Sequence, residues 1–309
     1  MDAIRTEALS KVYRSNFARR GVPSLDALSL SIGENEVFGF LGRNGAGKTT
    51  AIKLLCSLLR PTAGAAYLFG EPARSRKARK RIGYLPENPY FYEYLNPRET
   101  LDFYGKLQGL SAAARAAEWK KLAELLDLGP IAGQRIRGFS KGMRQRLGFA
   151  VALVGDPDIL ILDEPMSGLD PIGRRHIREL ILRMRDEKKT LFFSSHVLGD
   201  VEQICDRVGV LVQGKLKANG PIADLLTDHI SHVEVVAAGL SPAAVKEIAA
   251  QARHVRQSEQ GEHFEAGDLE AANEVAGRVL AHNGKLVEFT PLKDSLENYF
   301  LRQQEEAYA

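Results

Sequence analysis

The chain has 309 residues, is 44% hydrophobic and 26% charged, and carries a formal net charge of +3. This composition fits an ordinary globular protein with room for one large domain and a smaller one, and so small a charge gives no argument for nucleic acid. Cys56 and Cys205 stand far apart in no metal-ligand spacing, which suits core residues in a reducing compartment; no apolar run approaches the roughly 20 residues of a membrane-spanning helix, and the N-terminus has no signal-peptide pattern.

The first strand signals fall around Ile4 to Ala8, Leu28 to Ile32 and Val37 to Leu41. Gly42 to Thr49 then reads Gly-Arg-Asn-Gly-Ala-Gly-Lys-Thr, a phosphate-loop pattern without a mismatch. In such a loop the backbone N–H groups over Gly42, Arg43, Asn44, Gly45, Ala46 and Gly47 can cradle phosphate oxygens. Lys48 supplies a point charge to the outer phosphates, and Thr49 offers a hydroxyl to the Mg²⁺ that travels with ATP. Thr49 to Leu59 reads as a helix, with Thr50 in its first turn and Ile52, Leu55 and Leu59 at helical spacing. Strand, loop and helix in this order put phosphates at a helix N-terminus. A plain glycine-rich turn is the bland alternative.

After a turn at Arg60 to Gly64, further strands are expected at Ala65 to Phe69 and Ile82 to Leu85. Between them runs Arg74-Ser75-Arg76-Lys77-Ala78-Arg79-Lys80-Arg81, read first as a solvated face and alternatively as a contact for anionic lipid headgroups. Tyr90, Phe91, Tyr92 and Tyr94 crowd the loop from Glu87 to Tyr94. They suit either local packing or a groove for a helix of another protein. From about residue 90 to 155 the pattern is helical. Asn96-Pro97 is a helix start, and Ser111 to Leu128 and Ser140 to Val154 read as helices.

Ile159-Leu160-Ile161-Leu162-Asp163-Glu164 follows as a buried strand ending in two carboxylates. Asp163 suits a magnesium site, and Glu164 suits the orientation and deprotonation of a water. A helix at Pro171 to Glu187 and strands at Thr190 to Ser194 and Val208 to Val212 restore the alternation of a mainly parallel sheet. The pattern breaks at Gly220-Pro221. A short helix is expected at Ile222 to Thr227, then a small α+β domain of ferredoxin-like kind to Phe289, and a last helix at Lys293 to Arg302 carrying Leu296, Tyr299 and Phe300 on one face.

Over residues 1–225 the chain resembles the ATP-binding subunit of an ABC transporter. Ser140-Lys141-Gly142-Met143-Arg144-Gln145 is similar to the family signature in its Lys-Gly-Met variant, and Ser167-Gly168-Leu169-Asp170 to its D-loop. His196 matches the switch histidine that meets the γ-phosphate, and Tyr13 the aromatic that stacks on adenine. Glu87 stands where the family usually has a glutamine that bridges magnesium and the membrane subunit; a carboxylate accepts from metal-bound water but cannot donate.

The resemblance implies an α/β P-loop fold with antiparallel N-terminal strands, a helical subdomain and, over 226–309, a separate small domain that is a dimer clamp or a regulatory module. It implies a head-to-tail homodimer in which ATP on one phosphate loop is capped by Ser140 and Gly142 of the other copy, with Asp170 in the same interface. Glu164, His196 and Lys48 are the expected catalytic residues, and Thr49, Asp163 and Glu87 the expected magnesium-side residues. The expected partner is a separate membrane permease, with the chain peripheral on the cytoplasmic face. Bacterial exporters of drugs, lipids or polymers share the Glu, the Lys-Gly-Met and the C-terminal extension. The rival is a soluble ATPase of the same type acting on DNA or ribosomes. It would call for coiled-coil arms, two cassettes or a larger basic excess, and no nucleic acid partner is expected. A protein using ATP only as a conformational ligand would not need Glu164.

Overall fold

The structure, a computed structural model, describes residues 2–13, 21–225, 230–250 and 252–293. The chain divides into two compact units, Met1–Ile222 and Ala223–Arg302.

The first unit opens with β1 (Asp2–Tyr13), β2 (Val22–Gly33) and β3 (Val37–Leu41), then α1 (Lys48–Leu55), β4 (Ala63–Leu68), β5 (Glu71–Pro72), α2 (Arg76–Arg79) and β6 (Ile82–Leu85). Helices α3 (Pro97–Leu107), α4 (Ala112–Leu125) and α5 (Lys141–Leu153) follow. The unit closes with β7 (Ile159–Asp163), α6 (Pro171–Asp186), β8 (Thr190–Ser195), α7 (Leu198–Ile204), β9 (Arg207–Val212) and β10 (Lys215–Pro221). Strands β10-β9-β3-β8-β7-β6 form one sheet, parallel except for the antiparallel β10–β9 edge; β2-β1-β4-β5 form a second, antiparallel sheet. This is the mixed α/β architecture expected from the alternation of strand and helix signals.

Every residue of β3, β7 and β8 is buried. That is why they read as unbroken apolar runs rather than as alternating ones. Phe192 on β8 stacks on Phe38 with ring centroids 5.8 Å apart and tilts against Phe40 at 5.2 Å. These rings fill the core between the two sheets and α1. Helix starts are fixed by side chains that accept the free first-turn N–H groups. Asn96 and Glu99 form a reciprocal capping box on α3, and Ser111, Ser140 and Asp170 cap α4, α5 and α6.

Several boundaries differ from the sequence reading, and three of them have a clear local reason. β1 runs to Tyr13, well past Ala8, and escaped the pattern because Ala8 on β1 and Ala27 on β2 take left-handed backbone (φ 44° and 49°) near register shifts that break the two-residue alternation. α1 ends at Leu55, not Leu59, because Ser57 turns left-handed (φ 59°) and the Leu58 and Leu59 N–H groups both return to the Lys53 carbonyl. Gly220 and Pro221 belong to β10, where an edge position tolerates proline.

α8 (Ile222–Leu225) starts at the last residue of the first unit, and the second unit holds β11 (Ile230–Ala238), α9 (Pro242–Ala249), β12 (His254–Ser258), β13 (Gly261–Ala266), α10 (Leu269–Ala281) and β14 (Lys285–Lys293). Its antiparallel sheet has the order β12-β13-β11-β14. Val233, Val235, Phe264 and Phe289 face a core completed by Ile248 of α9 and Val275 and Val279 of α10. On β11 and β13, Glu234 and His263 are bonded at 2.7 Å, and Ser258 holds the other ring nitrogen at 2.6 Å. The expected Lys293 to Arg302 helix lies outside the described residues after its first position.

Phe192→Ala removes the ring shared by Phe38 and Phe40. It should lower stability by about 3–5 kcal/mol, read as a fall in the denaturant midpoint.

Candidate active site

The Gly42 to Thr49 loop joins β3 to α1, and its path requires glycine at two close approaches. Gly47, which caps α1, has φ 110°, and a Cβ there would stand 2.2 Å from the Ser24 carbonyl oxygen. A Cβ on Gly42 would lie 2.7 Å from the Leu211 carbonyl oxygen. The loop thus threads between the backbones of β2 and β9, leaving the first-turn N–H groups of α1 without helical partners. At that end of the helix they favour an anion.

Lys48 is buried. Its Nζ donates to the Gly42 carbonyl at 2.5 Å and lies 3.1 Å from Glu164 Oε1. That approach is ionic only, since Oε1 makes no hydrogen bond. The other oxygen, Oε2, is bonded to His196 Nδ1 at 2.8 Å. Glu164 itself is buried in left-handed backbone (φ 48°), a strained state for a bulky residue. Its N–H donates to Ser194 Oγ at 2.9 Å, and the same hydroxyl donates to Asp163 Oδ1 at 2.8 Å. Thr49 Oγ1 donates to that oxygen as well, at 3.3 Å. Burial, opposed by these two hydrogen bonds, raises the Asp163 pKa above the ordinary carboxylate range, and the neighbouring Glu164 charge adds to the rise.

An open cleft of about 260 Å³ brings Lys48, Thr49, Thr50, Glu87 and Glu164 together with Arg43, Asn44, Gly45 and Gly47. Ala46 joins Arg43, Asn44 and Gly45 in a neighbouring cleft of about 340 Å³. Asp163 lies beside the first cleft, held to it through Thr49. Among the described residues no three His, Cys, Asp or Glu side chains gather to cage a metal ion. The Thr49 hydroxyl, the Asp163 carboxylate and the exposed Glu87 carboxylate are hard oxygen donors. They fit Mg²⁺ shared between one or two protein oxygens and substrate phosphates, rather than a metal held by the protein alone.

The remaining sequence candidates do not line that cleft. Tyr13 ends β1 half-exposed, with Lys11 Nζ 5.5 Å from its ring centroid. Ser140 caps α5 and Asp170 caps α6. A Cβ on Gly142 would have only Leu169 Cδ2 and Ser140 Oγ near it, at 3.9 and 4.0 Å, so the start of α5 is open.

Three polar residues at the site escaped the sequence reading. Ser24 bonds Thr50 at 2.8 Å and lines the cleft. Ser194 donates to the Asp163 carboxylate and accepts from the Glu164 backbone N–H. Gln145, buried on α5, donates to the Pro165 carbonyl at 2.8 Å and so ties α5 to the turn after Glu164. The signal for Ser194 lies in strand register: β7 and β8 pair Asp163 with Ser194, and two serines ending an apolar strand mark a ligand-facing sheet edge.

A family model described as ABC transporter matches residues 25–167. An uncharacterized ABC transporter ATP-binding protein of Synechocystis is 39% identical over 308 residues, covering 99% of this chain and 85% of that protein. The bacitracin transport ATP-binding protein BcrA of Bacillus licheniformis is 35% identical, covering 97% and 96%. The Nod factor export ATP-binding protein I of Burkholderia lata is 37% identical over 76% and 78%. Among solved structures, cbiO1 of Clostridium perfringens, part of an ABC transporter complex, is 27% identical with a TM-score of 0.61, covering 71% and 88%. A dimeric ATP-binding cassette with ADP and Pi bound, at 21% identity and a TM-score of 0.66, covers 71% and 98% and shares the fold.

The raised Asp163 pKa means that its buried charge weakens the fold above the ordinary carboxylate range, where the unfolded chain ionises more readily. Asp163→Asn should therefore melt at or above the parent temperature at neutral pH without added magnesium. The gap should close as pH falls from the raised native value of Asp163 to the ordinary carboxylate value, in thermal melts across pH.

Proposed function

The chain belongs to the ATP-binding proteins of ABC transporters, and from that premise we propose that it drives a bacterial exporter by closing as a homodimer around two ATP molecules. As a member of that family it binds ATP and is an ATPase, converting ATP and water to ADP and phosphate. The reading of export rests on the likeness to proteins named for bacitracin transport and Nod factor export. A drug, lipid or polymer is the proposed cargo class.

The observation that carries the mechanism is the line Lys48–Glu164–His196, in which Lys48 and Glu164 are buried and His196 is exposed. Glu164 accepts a proton from the attacking water as its oxygen bonds the γ-phosphorus and ADP departs. The left-handed backbone and the Ser194 hydroxyl aim this carboxylate away from Asp163. Lys48 exchanges the Glu164 oxygen for phosphate oxygens when ATP occupies the loop, which frees the base. His196, bound through Nδ1, orients Glu164 and leaves Nε2 for the γ-phosphate. Thr49 and Asp163, with Glu87 at the rim, would hold Mg²⁺, which supplies charge neutralisation on the phosphates when bound. Tyr13 stacks on adenine. Ser140, Gly142 and Asp170, away from the cleft of their own chain, reach the ATP of the second copy.

The proposed partner is a membrane permease, as the likeness to ATP-binding proteins of transporters suggests; no helix among the described residues is itself long and apolar enough to cross a membrane. The chain then sits peripherally at the cytoplasmic face. The aromatic loop divides into two parts: Phe91 is buried, whereas Tyr90, Tyr92 and Tyr94 are exposed. Tyr92 meets Phe103 edge-on at 5.7 Å, and Glu93 pairs with Arg144 of α5 at 3.3 Å. An exposed tyrosine patch tied to the α5 start suits a permease helix, whose movement would pull on Ser140 and Gly142. The small second unit is proposed as a dimer clamp or regulatory module.

Glu164→Gln should lower ATP turnover by about 10²–10⁴-fold while ATP binding persists. Purified from membranes with ATP, the variant should appear as a dimer with an integral membrane protein. Recovery with ribosomes or DNA, or parent turnover per chain that does not fall on dilution, would refute the proposal. Tyr90→Ala should leave basal ATPase activity intact and uncouple it from transport, measured in reconstituted vesicles.

A further inference from the structure

The run from Arg74 to Arg81 plays no part in the site. Helix α2 is short, and its one buried residue is Ala78. At 100° per residue, Arg76, Lys77, Arg79 and Lys80 spread over the face opposite Ala78. Arg74 precedes the Ser75 cap and is exposed. Two cations of the run are neutralised: Lys77 pairs with Glu71 at 2.6 Å and Arg81 with Asp158 at 2.7 Å. Among the described residues, Arg74, Arg76, Arg79 and Lys80 have no side-chain partner and stand exposed.

Four exposed cations without side-chain partners, within seven residues, form an electrostatic surface among the described residues. The exposed residues of α2 are all cationic, so an acidic peptide would find no apolar seat there. A flat, densely anionic sheet of phosphates fits better than a folded partner. We propose that this face binds anionic phospholipid headgroups of the membrane that holds the permease. The inference rests on the peripheral membrane placement proposed above. Each juxtamembrane cation adds about 1 kcal/mol of attraction, which is roughly fivefold in partitioning. Four cations offer a second tether beside the permease, independent of ATP.

The test uses the full chain, without any permease, in co-sedimentation with phosphatidylcholine vesicles lacking or containing phosphatidylglycerol. Binding should require phosphatidylglycerol and fall with salt. It should drop roughly fivefold for each of Arg74→Gln, Arg76→Gln, Arg79→Gln and Lys80→Gln, with ATPase activity and the thermal melt unchanged. Equal binding to both vesicle types, or equal binding by the fourfold variant, overturns it. So does displacement by soluble inorganic phosphate at matched ionic strength, or tighter binding to duplex DNA or RNA lost in the same variants. Failure here with an ATP-trapped dimer still copurifying with a membrane protein removes only the lipid contact and leaves the transporter reading standing.

Discussion

Two adjacent carboxylates at the end of one buried strand set the constraint that the first unit is arranged around. Asp163 and Glu164 are both nearly inaccessible to solvent, and like charges so close oppose each other's ionisation. The structure separates them by backbone rather than by distance. Glu164 turns left-handed directly after β7, so its side chain leaves toward Lys48 and His196 while that of Asp163 goes to Thr49 and Ser194. The strained turn is tolerated because the parallel ladder with β8 delivers a hydroxyl to the one N–H the turn would strand. Charge, strain and register are thus one arrangement, and the proposed division of labour between metal side and water side follows from it.

The parts legible in the sequence were those with local causes. The glycine loop, the helix starts at Asn96 and Ser140, and the buried runs of β3, β7 and β8 each announce themselves within a few residues. What the sequence concealed was set by pairing between distant segments. β1 and β2 hide their full length behind bulges at which alternation fails. β10 reads as polar because it is an edge strand with one side open. Ser24 and Ser194 look like any surface serine until the register places one against Thr50 and the other against Asp163. Gln145 sits among the signature residues, but its buried bond to Pro165 depends on how α5 crosses the end of β7.

Aromatic and basic segments taught a related lesson. Both stood out in the sequence by composition, and both admitted a bland explanation. The aromatic loop resolves residue by residue: Phe91 serves the core, and three tyrosines do not. The basic run resolves in the same way, with two cations neutralised by nearby carboxylates and four left exposed. Composition located the segments; only the individual partners distinguished packing from surface.

The shared hydroxyl of Ser194 has a consequence for how this protein could change over evolutionary time. A single proton donor and acceptor, about thirty residues away in sequence, fixes both neighbouring acids at once. A substitution at this one position therefore acts on both acids at once. On the proposed roles, a change at Ser194 would disturb the magnesium side and the water side together, whereas changes at Thr49 or His196 would touch one side only.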